Sequence, residues 1–179
     1  MDAQITLTQT IMEQARDYIP LDEKEAWVAE NALKCFDKLA ITADKEQMPP
    51  MYKINTGLKS RYMMAALVSL YFGQEYEADP ADEFLMSFKD YDKWAGSHVM
   101  NQLERWKHDN ALKFKAYDLM ADYKDLEKRF STQLTALMLV QNDTVIRQSE
   151  LTANQIKQLP MLLEELKKLQ GEKTESTQT

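Results

Sequence analysis

The sequence predicts an all-α fold: a helical bundle with one long amphipathic helix and a second amphipathic helix near the C-terminal end. Three observations carry this. Only 4 Gly and 5 Pro interrupt 179 residues, so the chain divides into long unbroken segments. Leu, Ala, Met, Lys, Glu and Gln, the strong helix formers, dominate those segments. Between residues 112 and 138, apolar side chains recur at Leu112, Ala116, Leu119, Tyr123, Leu126, Phe130, Leu134 and Leu137, three or four apart, with no Gly or Pro among them. Such a seam gains roughly 1.5 to 3 kcal/mol per side chain on burial, so it must meet other helices in this chain or another.

The first helix is expected over residues 5–18, with Ile5, Leu7 or Thr8, Ile11, Met12 and Ala15 inward, stopping before Pro20. The second is expected over 22–41, capped by Asp22, with Ala26, Trp27, Ala29, Leu33, Phe36 and Leu39 or Ala40 inward. Pro49-Pro50 forbid helix within 42–56, and the alternation of Met51, Tyr52 and Ile54 with polar residues reads as an extended strap rather than a strand. Residues 58–71 are apolar nearly all round and should form the most buried helix. The acidic stretch 74–83 reads as a turn around Pro80. A fourth helix is expected over 90–107, and Asp109 or Asn110 then caps the long one, which runs to about residue 139. The pattern restarts after Asn142-Asp143, where Ile156, Leu159, Leu163, Leu166 and Leu169 form a second seam. There Pro160 either kinks the helix or occupies its first turn, and Gly171 ends it. The implied organisation is a bundle domain over 1–143, a C-terminal helical appendage over 144–170, and a disordered tail over 171–179.

Composition narrows function more than any motif does. A formal net charge of -7 argues against a phosphate-binding surface and against direct nucleic-acid binding. One cysteine, Cys35, excludes an internal disulfide and reads as a small core residue. The N-terminus, Met1-Asp2-Ala3-Gln4, lacks the basic start and apolar run of a secretory signal, and the most apolar stretch, residues 62–72, is too short to cross a bilayer. A cytoplasmic protein with no membrane partner is expected.

Candidate chemistry is thin. Glu75, Glu77, Asp79, Asp82 and Glu83 crowd one turn but lack the ligand spacing and glycine of a calcium loop. Glu104 and His108 lie four apart, with His98 further up the same expected helix. Di-iron bundles instead place Glu and His three apart on two helices, and helical zinc peptidases need two histidines around a Glu. Asp118, Asp122 and Asp125 share a face of the long helix, as in a magnesium-dependent helical nucleotide pyrophosphohydrolase. They are interleaved with Lys115, Lys124, Lys128 and Arg129 as on a solvated surface, and no matching second acidic pair is evident. Lys53, Lys59 and Arg61 beside Tyr52 and Tyr62 make a small basic patch, read as a solvated loop. No catalytic residue, cofactor or metal is therefore assigned.

Four stretches carry a resemblance: Pro49-Pro50-Met51-Tyr52, Lys59-Ser60-Arg61-Tyr62-Met63-Met64, Tyr91-Asp92-Lys93-Trp94-Ala95-Gly96-Ser97-His98 and Asp122-Tyr123-Lys124-Asp125-Leu126-Glu127-Lys128-Arg129. In texture and order over residues 49–143, the chain resembles a group of uncharacterised helical proteins encoded by phages and prophages of Gram-positive gut bacteria. The resemblance implies a small phage gene product that acts by assembly or by binding a host protein, and it transfers no catalytic residue.

Together these readings lead to a non-enzymatic interaction or assembly protein, a homo-oligomer and most simply a homodimer. Tyr123, Phe130 and Leu137 on the long helix and Leu159, Leu163 and Leu166 on the terminal one are its expected contacts. Two alternatives remain open: an inhibitor of a host enzyme, for instance a nucleic-acid-handling one, acting through the acidic surface Glu75, Glu77, Asp79, Asp82 and Glu83, and the pyrophosphohydrolase. One irregularity sharpens the first reading. The seam alternates four and three up to Phe130, then takes another four to Leu134, a stutter that unwinds a supercoil. The first half of the long helix should thus pack within its own domain, leaving the second half for a partner.

Overall fold

The computed structural model describes residues 5–39, 42–43, 46–47, 51–108 and 111–175. Expectations for Ala40, Pro49-Pro50, the Asp109 or Asn110 cap, the residues 176–179 and the side chains of Leu39, Leu166 and Leu169 lie outside what it describes. The chain is mostly helical but not strictly all-α, because short strands form three two-stranded pairs among the described residues. Two compact units are present: Met1–Asp37 with Lys53–Met138, and Lys38–Tyr52 with Leu139–Thr179.

In the first unit, helix α1 is short, Gln9–Gln14, and begins where the Thr8 hydroxyl accepts the Ile11 N–H. It ends early because the Arg16 N–H leaves the helix to donate to the Tyr71 carbonyl at 2.7 Å. Ahead of it, Ile5 and Leu7 lie outside any helix, their backbone held by Ser97 Oγ and by the side-chain amide of Gln102. Helix α2, Leu21–Ala32, starts after Pro20, with Asp22 in its first turn rather than at the cap. Its buried residues are Lys24, Val28, Asn31 and Ala32, whereas Ala26, Ala29 and Leu33 are exposed. The helix is rotated from the expected face because Lys24 points inward to an ion pair described below. It also stops nine residues short: a single 3-10 turn, Leu33–Cys35, leads into strand β1, Phe36–Leu39, which pairs with β4, Met51–Ile54. The expected strap is a strand.

Cys35 sits at this junction, fully buried, and burial pushes its thiol up to about 12. It is expected to stay silent toward an aromatic disulfide reagent at pH 8 in the native protein and to react completely in denaturant. Rapid native-state labelling would contradict the burial.

Helix α3, Thr56–Ala66, is capped by Asn55, whose Oδ1 accepts the Leu58 N–H at 2.9 Å. It continues as one π-helical turn, Leu67–Tyr71, and Gly73 closes it at φ +60, a conformation that costs glycine nothing. As expected it is the most buried helix, with Tyr62, Ala65, Ala66, Leu67, Val68, Tyr71 and Phe72 all at 1% exposure or less. The acidic stretch is a hairpin, not a simple turn: β5, Ala78–Asp79, runs antiparallel to β6, Asp82–Met86. The expected fourth helix is two, α4, Phe88–Gly96, and α5, Val99–Trp106. They are separated at His98, which is left-handed at φ 53.

Helix α6 runs Lys113–Glu175. In the first unit its seam supplies Ala116, Leu119, Met120, Tyr123, Leu126, Phe130 and Leu134 to the core, with Leu112 and Leu137 packed at the edge. The break expected at Asn142-Asp143 does not occur. Asp143 pairs with Arg147 one turn on at 2.8 Å, a stabilising helical spacing, and the helix passes through Pro160 and Gly171 without ending.

In the second unit, β2, Thr42–Ala43, pairs with β3, Glu46–Gln47, through Thr42 to Gln47 and Ala43 to Glu46. The Tyr52 N–H donates to Asn142 Oδ1 at 2.8 Å, and Asn142 Nδ2 donates back to the Tyr52 carbonyl at 3.2 Å. Among the described residues no helix is long and apolar enough to cross a membrane.

Candidate functional site

The first candidate lies where α2, the end of α3 and α6 meet. Lys24 is 3% exposed, and its Nζ stands 2.5 Å from Asp122 Oδ1 and 3.1 Å from Asp125 Oδ2. Burial alone would lower the lysine pKa, but hydrogen bonds and charge from the two carboxylates outweigh it and the net shift is upward. The second oxygen of Asp122 accepts the Ile19 N–H at 3.0 Å and the Tyr71 hydroxyl at 2.9 Å. Burial and that hydrogen bond hold the Tyr71 phenol protonated far above its ordinary range. Asp125 also accepts from Arg129 Nε at 2.8 Å; that bond, and then Lys24, keep its carboxyl below its usual value.

Two adjoining grooves between α2 and α6, about 510 and 610 Å³, share Asp125 and Arg129 in their walls. Their chemistry is already spent. Asp122 is occupied by three donors and Asp125 by two cations, so neither is a free base or an open ligand. Of the three acids considered for magnesium, Asp118 alone faces solvent with no ion pair among the described residues. Among the described residues no group of three or more His, Cys, Asp or Glu is arranged to hold a metal ion. Only Glu104 of that expected set lies on α5: His98 stands ahead of the helix in the left-handed turn, and His108 lies beyond its end at Trp106.

The acidic hairpin is likewise partnered. Asp79 meets Arg61 at 2.6 Å, Asp82 accepts from Tyr62 at 2.6 Å and pairs with Lys34 at 3.1 Å, and Glu77 lies 3.4 Å from Lys89. Arg61, expected on a solvated basic patch, is buried, donates to the Met86 carbonyl and stacks 3.9 Å from the Phe88 ring centroid. Of the five acids proposed as a negative surface, only Glu75 and Glu83 stand exposed without a cation beside them. Asp79 and Asp82 instead tie the hairpin to α3 and to the 3-10 turn that follows α2.

The second candidate is the distal part of α6. Every residue from Glu150 to Glu165 is exposed, including Leu151, Ile156, Leu159, Met161, Leu162 and Leu163 at 51% to 67%. The six expected contact residues therefore divide. Tyr123 and Phe130 are 8% and 0% exposed inside their own unit, and Leu137 packs at its edge, so these belong to the core and not to a partner surface. Leu159 and Leu163 are bare, and Leu166 continues their spacing in sequence.

The partners of Lys24, Tyr71, Arg61 and Asn142 escaped the sequence reading. For Lys24 a signal existed: it falls one turn before Val28 and two before Asn31 and Ala32, on the face that the exposed Ala26 and Ala29 do not share. Asn142 carried none, since its partner is a main-chain amide. Comparison with family models, with curated proteins and with solved structures returns no match for this chain.

Proposed function

We propose that this chain is a non-enzymatic assembly protein that self-associates through the distal half of α6, a small phage gene product by the resemblance of its central segments. The observation that supports this is the run of bare Leu and Ile side chains beyond Glu150 on a helix otherwise well formed. A single helix of that length is marginal in water without a partner for its apolar face, and an exposed apolar tract of this extent marks an interaction surface. The functional unit is then a core that fixes the root of α6 and a distal stripe that meets another copy.

Light scattering tests it. The full-length chain, 20.9 kDa per copy, is expected at about twice that mass at tens of micromolar, and a chain ending at Val145 at the mass of one copy. The L159K/L163K double variant should behave as the shortened chain does while keeping the thermal transition of the core. A full-length monomer at that concentration overturns the reading.

A further inference from the structure

We infer that the opening turns of α6, together with the end of α5, form a binding surface for single-stranded nucleic acid, a reading that stands apart from the self-association proposed above. Lys113, Tyr117, Ala121, Lys124 and Lys128 follow one another along α6 at steps of four, four, three and four, which sets them in one stripe of the helix. At 1.5 Å per residue the stripe is about 22 Å long. Lys113 is half-buried and the other four are exposed. Phe114 stands at the edge of the stripe, three residues before Tyr117, and the two side chains are 74% and 61% exposed. Cations lie against both rings: Lys113 Nζ is 4.9 Å from the Phe114 centroid, and Lys107 Nζ, from the C-cap of α5, is 5.5 Å from that of Tyr117.

The formal charge of -7 is a sum over the whole chain, whereas salt at 0.1 M confines charge effects to about 10 Å. An approaching strand therefore meets the local set. Elsewhere Lys24, Lys34, Arg61 and Arg129 are each matched to a carboxylate. On the stripe, Lys113, Lys124 and Lys128 enter no ion pair among the described residues, and only Lys107 is held, by Glu104 at 2.7 Å. Asp118 follows Tyr117 and Glu127 precedes Lys128 by one position, which turns each acid about 100° away around the helix. What remains is three cations without a counter-ion beside two aromatic faces that the fold does not bury. Phosphates neutralise the first and unpaired bases stack on the second. An acidic peptide meets only the first requirement, and a duplex keeps its bases stacked on one another.

Fluorescence anisotropy of end-labelled oligothymidylate and oligouridylate, each of about twelve nucleotides, tests this on the full-length chain. In 0.1 M salt a Kd of about 10–100 μM is expected for a sequence-independent contact of this size. Three neutralised phosphates give a slope of log K against log salt of about -2. Phe114→Ala and Tyr117→Ala should each weaken binding about fivefold or more, through the lost stacking. Lys113→Gln combined with Lys124→Gln should reduce the slope to about -0.7. Lys93→Gln, on α4 and outside the stripe, should change neither, and an unchanged thermal transition in each variant separates lost binding from lost fold. Binding of either oligonucleotide with these losses supports the proposal, and tighter binding of oligouridylate assigns the surface to RNA. No anisotropy change up to about 0.5 mM protein, beyond the weak end of such contacts, overturns it. So does an affinity indifferent to removal of both rings. Polyglutamate competing as well as unlabelled oligonucleotide overturns it in favour of an acidic protein partner.

Discussion

Replacing Asp122 with alanine is expected to destabilise the fold by about 3–5 kcal/mol, the range for removing one partner of a buried pair. The loss should read as a lower urea midpoint with an unchanged slope. The size follows from what the carboxylate satisfies. Without it Lys24, at 3% exposure, keeps only the more exposed Asp125, while the Ile19 N–H and the Tyr71 hydroxyl lose their acceptor. Each orphaned neutral donor costs about 1–3 kcal/mol. Asp125→Ala serves as the contrast: that side chain is 40% exposed, and pairs of that kind are worth at most about 1 kcal/mol. Equal losses in the two variants would mean that Lys24 reaches water in the native state and that the pair is not a lock.

Phe130→Ala is expected to cost about 3–5 kcal/mol, the range for emptying a buried aromatic site. Its ring is fully buried and sits 4.9 Å from that of Trp27, tilted by 53°, so truncation removes both area and an aromatic pair. Thermal unfolding measures this directly. The result also separates two roles for the residue: a contact between copies would show concentration-dependent mass with unchanged core stability, and a core residue shows the reverse. Only the second outcome agrees with 0% exposure.

Periodicity made the backbone of this fold legible and pairing did not. The seam from Ala116 to Leu134 is buried as its spacing requires, and the all-round apolar character of residues 62–72 marked the central helix, because in both cases burial depends on the element's own side chains. The strands were hidden because a strand exists only with its neighbour: Phe36 to Leu39 reads as helix until β4 lies beside it. Lys24 was missing from the expected inward face of α2 since a lysine is buried only when paired, and its partners stand about a hundred residues away. The break between α4 and α5 at His98 rests on a left-handed residue that carries no Gly signature. At the site level, Asp79, Asp82 and Asp122 looked free because the cations that meet them, Arg61, Lys34 and Lys24, are distant in sequence.

The clamp between Asn142 and Tyr52 has a consequence for how this protein tolerates change. The amide presents one acceptor and one donor to the main chain of residue 52 and never touches its ring through those bonds. Docking is thereby indifferent to what side chain position 52 carries and unforgiving of what position 142 carries, since aspartate offers no donor and leucine offers neither. Drift in the strand leaves the attachment intact, and the constraint is lodged in a single side chain of the helix.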